Sequence, residues 1–251
     1  MEMKRYDHGA PSWVDLGTPD MAQATKFYAK LFGWDVQVGP PEAGGYAIAH
    51  LRGLTVAGLG PQQNPGPPYW STYINVDDAD AIAKSINANG GTTLMAPFDV
   101  LDVGRMGIFA DPQGAAFGVW QPGSHKGAQL MMDHGTTCWS ELNTTDVGAA
   151  IAFYRAVFGW TAKTHEGAMP YTEFGIGERS IAGAMPMPPG MPAHVPPHWL
   201  VYFAVADTDA TVATAKTAGG QLMAGPMDIE PGRFAVVADP AGAVFGVIAL
   251  H

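Results

Sequence analysis

The alternation of apolar and polar positions changes along the chain in a fixed order. Residues 12–18 alternate between the two kinds of side chain, as in a β-strand with one buried face. Residues 21–32 then carry apolar side chains at helical spacing, after Asp20 as an N-cap and before Gly33 as a C-terminal stop. Three further strand patterns follow. The same order of one strand, one helix and three strands then occurs a second time within the first half of the chain.

The second half of the chain repeats this order with the same residues at its turning points. Ser12–Asp20 recurs as Cys138–Asp146, and the motif FYxxxFGW ends the first helix of both halves. The motif DPxGxxF precedes the last strand of both halves. The matched pairs used below are Trp13 with Trp139, Asp15 with Glu141, Tyr73 with Tyr202, and Arg105 with Arg233. Such a duplication predicts an α+β fold of four βαβββ units.

The repeat also predicts the domain organisation. We expect a first domain over residues 9–122, a linker over 123–133 and a second domain over 134–251. The polar residues 1–8 are expected to form a loose arm.

The composition argues against several classes of function. A hydrophobic fraction of 47% indicates a folded core, and the net charge of −10 argues against nucleic acids and anionic membrane surfaces as partners. No stretch approaches the length of a membrane-spanning segment, and the N-terminal residues lack the apolar segment of a secretion signal. The single cysteine, Cys138, precludes an intramolecular disulfide and is expected to be buried and inert. A cytoplasmic protein is the simplest interpretation.

Together, the four units and the two motifs resemble the vicinal oxygen chelate superfamily, which includes glyoxalases, bleomycin-resistance proteins and extradiol dioxygenases. In particular, the chain is similar to two-domain actinobacterial members labelled glyoxalase-like or hydroxylase, some of them accessory proteins of antibiotic pathways. The resemblance covers residues 10–250 and implies curved mixed sheets, each made of two units and enclosing a cleft. Its motifs are specific to the fold and carry little information on chemistry. A monomer is sufficient to provide all four units, and a dimer stays open.

The resemblance also implies where a metal would be held. Metal-dependent members carry ligands on the first, fourth, fifth and eighth strands of a cleft. These positions fall on or near Trp13, Gly58, Ser71 and Gly118 in the first domain, and Trp139, Gly183, Leu200 and Gly246 in the second. Because Trp and Gly cannot coordinate a metal, we expect neither a metal nor another cofactor. The scattered histidines leave a relocated site open, although ordinary polar roles are favoured; they include His50, His134, His194 and His198.

Without a metal, the clefts become candidate sites for an organic ligand. Large aromatic side chains favour a flat, apolar or aromatic ligand with a few polar groups. The alternative is that these side chains are core residues that fill a vestigial cleft. The residues expected to line the clefts are Trp13, Ser71, Tyr73 and Trp120 in the first domain, and Trp139 and Tyr202 in the second.

Two acids, Asp15 and Glu141, are the candidate catalytic groups. Each lies two residues after the tryptophan of its strand and therefore on the same face. Burial beside an indole would raise the pKa of either acid and suit it as a general base. The alternative is a salt bridge to Arg105 or Arg233, which recur at matched positions and are also candidate ligand contacts.

Two functions therefore stay open. The first is metal-independent binding of a small hydrophobic or aromatic molecule, for antibiotic sequestration or as an accessory to an oxygenase. The second is an enzyme, either a lyase, isomerase or hydroxylase that uses Asp15 or Glu141 as a base, or a glyoxalase-like enzyme with relocated metal ligands.

Overall fold

Each half of the chain forms one curved sheet of eight strands in the computed structural model, which describes residues 1–63, 65–167, 170–192 and 195–251. The elements of the first half are β1 (Pro11–Thr18), α1 (Met21–Phe32), β2 (Asp35–Val38), β3 (Ala47–Leu51), β4 (Leu54–Pro61), β5 (Tyr69–Asn75), α2 (Ala79–Ala88), β6 (Thr92–Val100), β7 (Gly104–Ala110) and β8 (Ala116–Pro122). Those of the second half are β9 (Thr137–Thr144), α3 (Val147–Phe158), β10 (Thr161–His165), β11 (Tyr171–Ile176), β12 (Arg179–Pro186), β13 (His198–Ala204), α4 (Thr208–Thr217), β14 (Gln221–Ile229), β15 (Gly232–Ala238) and β16 (Val244–Leu250). The predicted α+β fold of four βαβββ units is confirmed.

The first helix of each half begins and ends where its capping residues predict. In α1, the Asp20 carboxylate accepts a hydrogen bond from the backbone N–H of Gln23. Gly33 adopts a left-handed conformation (φ 74°), which lets its N–H reach a carbonyl of the last turn. Asp146 and Gly159 cap α3 in the same way. No helix in the described part of the chain is long and apolar enough to cross a membrane.

The two units of each domain join through their first strands. The first sheet has the order β2-β3-β4-β1-β5-β8-β7-β6, and the second has the order β10-β11-β12-β9-β13-β16-β15-β14. β1 pairs parallel with β4 and antiparallel with β5, which pairs parallel with β8. The four strands that carry the family's ligand positions therefore lie side by side at the centre of each sheet.

Two element boundaries differ from the sequence patterns. The sequence pattern predicts a strand over residues 92–96, but β6 continues to Val100, because Pro97 does not interrupt an edge strand whose outer side has no ladder to maintain. The pattern also predicts a helix over residues 77–88, but α2 begins at Ala79, since the Asp78 carboxylate caps it by accepting a hydrogen bond from Ala81 N–H.

The expectation of a loose N-terminal arm is wrong. The N–H of Met3 donates to the carbonyl of Gln129 at 2.8 Å, and the Tyr6 hydroxyl donates to that of Ala128 at 2.6 Å. Residues 128 and 129 in turn donate backbone hydrogen bonds to β1 and β4. The N-terminal residues and the segment expected as a linker thus pack against the first sheet. The proposed domain boundaries stay a prediction.

The helices lie between the two sheets and create cores that both domains share. In the first core, Tyr28 of α1 stacks on Trp34 and lies 5.5 Å from the ring of Phe245, which belongs to the second domain. In the other core, Phe117 of the first domain lies 5.8 Å from Tyr154 of the second. The first unit therefore packs against the fourth, and the second against the third. Burial of this shared apolar surface couples the folding of the two halves.

Buried tyrosines add polar bonds across the domain boundary. The Tyr28 hydroxyl donates to Asp239 Oδ2 at 3.1 Å and accepts from Trp70 Nε1 at 3.0 Å. Each DPxGxxF motif contributes its aspartate, Asp111 or Asp239, to such a bond through Oδ2. The Oδ1 atom of the same residue accepts backbone N–H groups of its own turn. The equivalent set in the other core is Tyr154, Asp111 and Trp199, with distances of 3.3 and 3.0 Å.

We expect Tyr28→Phe to lower the free energy of unfolding by about 2 kcal/mol, because the Trp70 N–H and one Asp239 oxygen would stay buried without this partner. Tyr154→Phe should cost a similar amount. Thermal and urea unfolding of the full chain measure the loss.

The control is Tyr69→Phe, whose side chain is 47% exposed and whose effect should stay within about 0.5 kcal/mol. Because the cores are shared, each variant should unfold in a single transition. Two resolved transitions, or a Tyr28→Phe protein as stable as the parent, would contradict this arrangement.

Candidate functional site

The concave face of the first sheet has an aromatic floor. Trp13 on β1 lies opposite Tyr73 on β5 in the strand register, and Tyr73 lies opposite Gly118 on β8. Trp13, Tyr73 and Trp120 pack together and are nearly fully buried. The structure therefore brings these three residues together in one cluster.

The wall of the first cleft is apolar and partly open to solvent. Ile48, Met106 and Ile108 pack against the aromatic floor and are partly buried. Met95 and Phe98 on β6 lie opposite Ile108 and Met106, and so on the same face, but they are 42% and 41% exposed. Exposed apolar side chains beside a buried aromatic floor form a surface that a nonpolar molecule could cover.

Asp15 is the point on which the polar groups of this cleft converge. It lies opposite Gly58 on β4 and Ser71 on β5. Tyr46, just before β3, donates from its hydroxyl to Asp15 Oδ2 at 3.2 Å and accepts from Trp13 Nε1 at 3.0 Å. Tyr73 and Ser71 also hydrogen-bond to Asp15.

Burial raises the pKa of Asp15 to about 6, although the hydrogen bonds from Tyr73, Tyr46 and Ser71 act in the opposite direction. The pKa values of Tyr46 and Tyr73 are raised well above their ordinary value by burial and by the nearby Asp15 charge, so both hydroxyls stay protonated. The cleft therefore contains one acid that titrates near neutral pH and two phenols that act as hydrogen-bond donors.

Glycines at two of the family's ligand positions provide the space for these tyrosines. A Cβ atom on Gly58 would lie 1.8 Å from the Tyr46 hydroxyl oxygen, and one on Gly118 would lie 2.2 Å from the Tyr73 ring. Any larger residue at either position, including a metal ligand, would collide with the tyrosine.

The second cleft repeats this arrangement with a more enclosed acid. Trp139 Nε1 donates to the Tyr171 hydroxyl at 2.7 Å, and Tyr202 donates to Glu141 Oε1 at 3.1 Å. Tyr171 and Asn143 also hydrogen-bond to Glu141, whose pKa is raised by burial. Glu141 is only 8% exposed, whereas Asp15 is partly exposed. A Cβ atom on Gly183 would lie 1.9 Å from the Tyr171 hydroxyl oxygen, and one on Gly246 would lie 2.2 Å from the Tyr202 ring.

The residues at the family's ligand positions do not fit a metal. In each domain the first-strand position is a tryptophan whose indole N–H is bonded to a tyrosine, and the fourth- and eighth-strand positions are the glycines just described. The fifth-strand positions, Ser71 and Leu200, supply no imidazole or carboxylate. No group of three or more His, Cys, Asp and Glu side chains gathers anywhere in the described ranges. His194 lies outside them.

The alternative in which Asp15 and Glu141 form salt bridges with Arg105 and Arg233 is wrong. Arg105 is adjacent to Met106, so its side chain points to the opposite, helix-covered face of the sheet. There its guanidinium bonds Asp80 of α2 at 3.0 Å and Asp99 at 2.9 Å.

Arg233 is placed in the same way in the second domain, where it bonds Asp209 and Asp228. Both arginines therefore anchor a helix to the helix-covered face of their sheet. Neither points into a cleft, contrary to the expectation that they contact a ligand.

Three residues of the clefts were missed in the sequence. Tyr46 and Tyr171 occupy matched places in the sequence, after Gly45 and Pro170, so extending the repeat comparison to the third strands would have found them. His125 belongs to no repeat. Its ring packs edge-on against Trp13 at 4.5 Å and near Trp120 at 5.5 Å, its Nε2 is buried without a hydrogen-bond partner, and burial lowers its pKa to about 4.

Free space is limited at the cleft floor. A void of about 10 Å³ adjoins Trp13 on the side of Ala128 and Thr137. A surface depression of about 350 Å³ lies away from both acids and is lined by Met1, Glu2, Arg52, Leu54, Leu130 and Asp133. A ligand of the first cleft would therefore lie on the floor and against the β6 wall rather than in a deep cavity.

Comparisons with known proteins identify relatives over the whole chain. The chain is 47% identical, over 97% of its length and 95% of the relative, to the "Putative glyoxylase CFP32" of Mycobacterium tuberculosis. It is 41% identical, over 99% of its length and 96% of the relative, to the "Anthracycline biosynthesis protein DnrV" of Streptomyces peucetius.

Solved structures with the same architecture are more distant in sequence. The Mn(II)-bound glyoxalase from Novosphingobium aromaticivorans matches with a TM-score of 0.69 and 17% identity, over 96% of this chain and 82% of that one. The 2,3-dioxygenase LapB from Pseudomonas sp. KL28 matches with a TM-score of 0.67 and 12% identity, over 96% and 93%. At such identities the similarity concerns the fold alone.

A family model covers both repeats and agrees with the two sheets. The model described as "Glyoxalase/Bleomycin resistance protein/Dioxygenase superfamily" matches residues 10–119 and 132–247. With two units in each of its two eight-stranded sheets, this chain belongs to the glyoxalase/bleomycin resistance protein/dioxygenase superfamily.

Proposed function

We propose that this protein binds a small planar aromatic molecule in a cleft of the superfamily fold, without a metal. The observation that carries the proposal is the first cleft, where an aromatic floor, an exposed apolar wall and a single partly exposed acid lie together. Planar rings pack well on such a floor, and one polar group fixes the orientation of the ligand.

The loss of the metal positions supports this proposal. In a metal-dependent cleft, several side chains converge on an ion, whereas here tyrosine hydroxyls converge on Asp15 or Glu141. Polar contacts with a ligand would then come from organic groups alone. The charge of either acid would be offset by hydrogen bonds rather than by an ion.

The relatives suggest a biological setting. One is named for anthracycline biosynthesis, and anthracyclines are planar aromatic molecules. We propose that this chain holds a molecule of that general shape, either to sequester it or as an accessory to an oxygenase in secondary metabolism. The protein would act inside the cell, on a small-molecule partner rather than on nucleic acid or membrane.

An enzyme is the second candidate, and the chemistry of Asp15 favours it. A carboxyl group with a pKa of about 6, partly exposed beside a binding surface, is suited to remove a proton from a bound substrate at neutral pH. Turnover by this route should rise with pH through about pH 6, and Asp15→Asn should abolish the rise.

Ligand binding is tested by titrating the protein with substituted anthraquinones and recording tryptophan fluorescence. We expect saturable quenching that is unchanged by EDTA, because several tryptophans line the clefts and no metal takes part. Elemental analysis of the purified protein should show no stoichiometric Fe, Mn, Ni or Zn. A stoichiometric metal whose removal abolishes binding would overturn the metal-independent proposal.

A matched pair of wall variants then locates the binding surface. Phe98→Ala removes the exposed ring of the first cleft, and Met227→Ala removes the side chain at the matched position of the second. Loss of the contact should weaken binding about 5–10-fold in the cleft that is used. Saturable quenching that neither variant alters would place the ligand outside both clefts and contradict the proposal.

The raised pKa of Asp15 also predicts how stability depends on pH. The folded state binds this proton more tightly than the unfolded state, so the ionised acid costs stability as pH rises from about 4 to about 6. Asp15→Asn should therefore be more stable than the parent at pH 7.5 by about 1–2 kcal/mol, since the side chain keeps partial contact with water. The difference should vanish near pH 4.

Urea unfolding across this pH range measures the effect, with Asp102→Asn on an exposed turn as the control. A difference between parent and Asp15→Asn that stays constant from pH 4 to pH 7.5 would show that the acid does not titrate in this window.

A further inference from the structure

We propose that the ligand site is the first cleft, and that it selects planar aromatic molecules that donate a hydrogen bond to Asp15, such as phenols or aromatic amines. This inference rests on the proposed function and adds to it the cleft that is used and the polar group that the ligand must carry.

The two clefts differ in access to their acids. Asp15 is partly exposed, and Tyr69, which covers the neighbouring position Gly17, is itself 47% exposed. Glu141 is 8% exposed, and the neighbour that corresponds to Ser71 is the buried Leu200. The side of the first cleft that holds Asp15 is therefore more open to solvent than the corresponding side of the second cleft.

The hydroxyl groups of the first cleft have already committed their protons. Tyr46 donates its single proton to Asp15 while it accepts from Trp13, and Tyr73 and Ser71 also hydrogen-bond to Asp15. A hydroxyl has one proton to donate. A ligand carbonyl that approached these groups would have to break an existing bond to find a donor.

Asp15 itself retains capacity to accept. Two carboxylate oxygens offer about four acceptor sites, more than the three hydroxyl groups around the acid could fill. At least one acceptor site is therefore left for a ligand. The vacant position is therefore an acceptor, which is complementary to a ligand that donates.

Among the described residues that interact with Asp15, none carries a positive charge that would balance it. Those residues are Tyr46 next to β3, and Tyr69, Ser71 and Tyr73 on β5, while the facing residue on β4 is Gly58. Arg105 is held on the other face of the sheet. A desolvated carboxylate that lacks a counter-charge gains from a charged or strongly polarised donor.

Specificity follows from this arrangement. A phenol would keep the Asp15 oxygen satisfied, whereas its methyl ether would cover the carboxylate and leave it unpaired. The ether should bind at least about 10-fold more weakly, as expected when a buried charged group loses its partner. Protonating Asp15 removes its charge and adds an O–H donor, which weakens the acceptor and lets the group donate to an ether, so the preference should fade at low pH.

The test is isothermal titration calorimetry of the full chain with 2-naphthol and 2-methoxynaphthalene at pH 7.5 and pH 5.0. We expect the parent to prefer 2-naphthol by about 10-fold or more at pH 7.5 and to lose most of this preference at pH 5.0. Asp15→Asn should lose most of the preference at pH 7.5, because its amide is neutral and adds a donor, and it should show no change between the two pH values. Asp102→Asn should behave as the parent.

Each other outcome is informative. Equal, saturable binding of both probes by the parent would overturn the selectivity while leaving the proposed function intact. A preference that persists in Asp15→Asn but disappears in Glu141→Gln would assign the site to the second cleft. Binding of neither probe would overturn the inference, and the proposed function falls only if the anthraquinone titration also fails. The pH dependence of the parent keeps the test valid if Asp15→Asn folds poorly.

Discussion

Each cleft is organised by one desolvated carboxyl group that collects hydrogen bonds from surrounding side chains. Two tyrosine hydroxyl groups surround each acid, one from the next central strand and one from the third strand of the unit or the turn before it. The second of these hydroxyl groups also accepts a hydrogen bond from the tryptophan of the first strand. Burial alone would make such an acid costly, and the hydroxyl donors reduce this cost without a counter-ion. Organic side chains thereby fill the centre of the cleft.

This replacement depends on several residues at once. The tyrosine hydroxyl can reach Asp15 only because Gly58 has no side chain, and the Tyr73 ring can lie flat on β8 only because of Gly118. Restoring a metal ligand at either glycine would therefore require removing the tyrosine as well. A single substitution at the glycine would place its side chain against the tyrosine, and a single substitution of the tyrosine would leave a cavity. Either change costs packing energy, so a metal site would require both substitutions together.

The parts of this arrangement that follow from local patterns could be predicted, and those that depend on strand pairing could not. Asp20 and Gly33 define α1 from the sequence alone, and alternation along β1 correctly places Asp15 on the face of Trp13. Tyr46 reaches Asp15 from a turn 31 residues away, a contact that no local pattern encodes. The arginines were misassigned because their repeat shows that they matter but not which face of the strand they occupy.

The shared cores give the second domain a use that is independent of its cleft. Its helix-covered face supplies Phe245, and the turn before β16 supplies Asp239, to the core around Tyr28. A duplicated half that has become a wall of its neighbour cannot be discarded, even when its own cleft no longer binds anything. Its concave side is then free to drift in sequence while its convex side is constrained. In descendants of this chain, the sequence of the second sheet should therefore change faster on its cleft face than on the face that packs into the shared cores. New binding specificities should arise on the cleft face, because the shared cores do not constrain it.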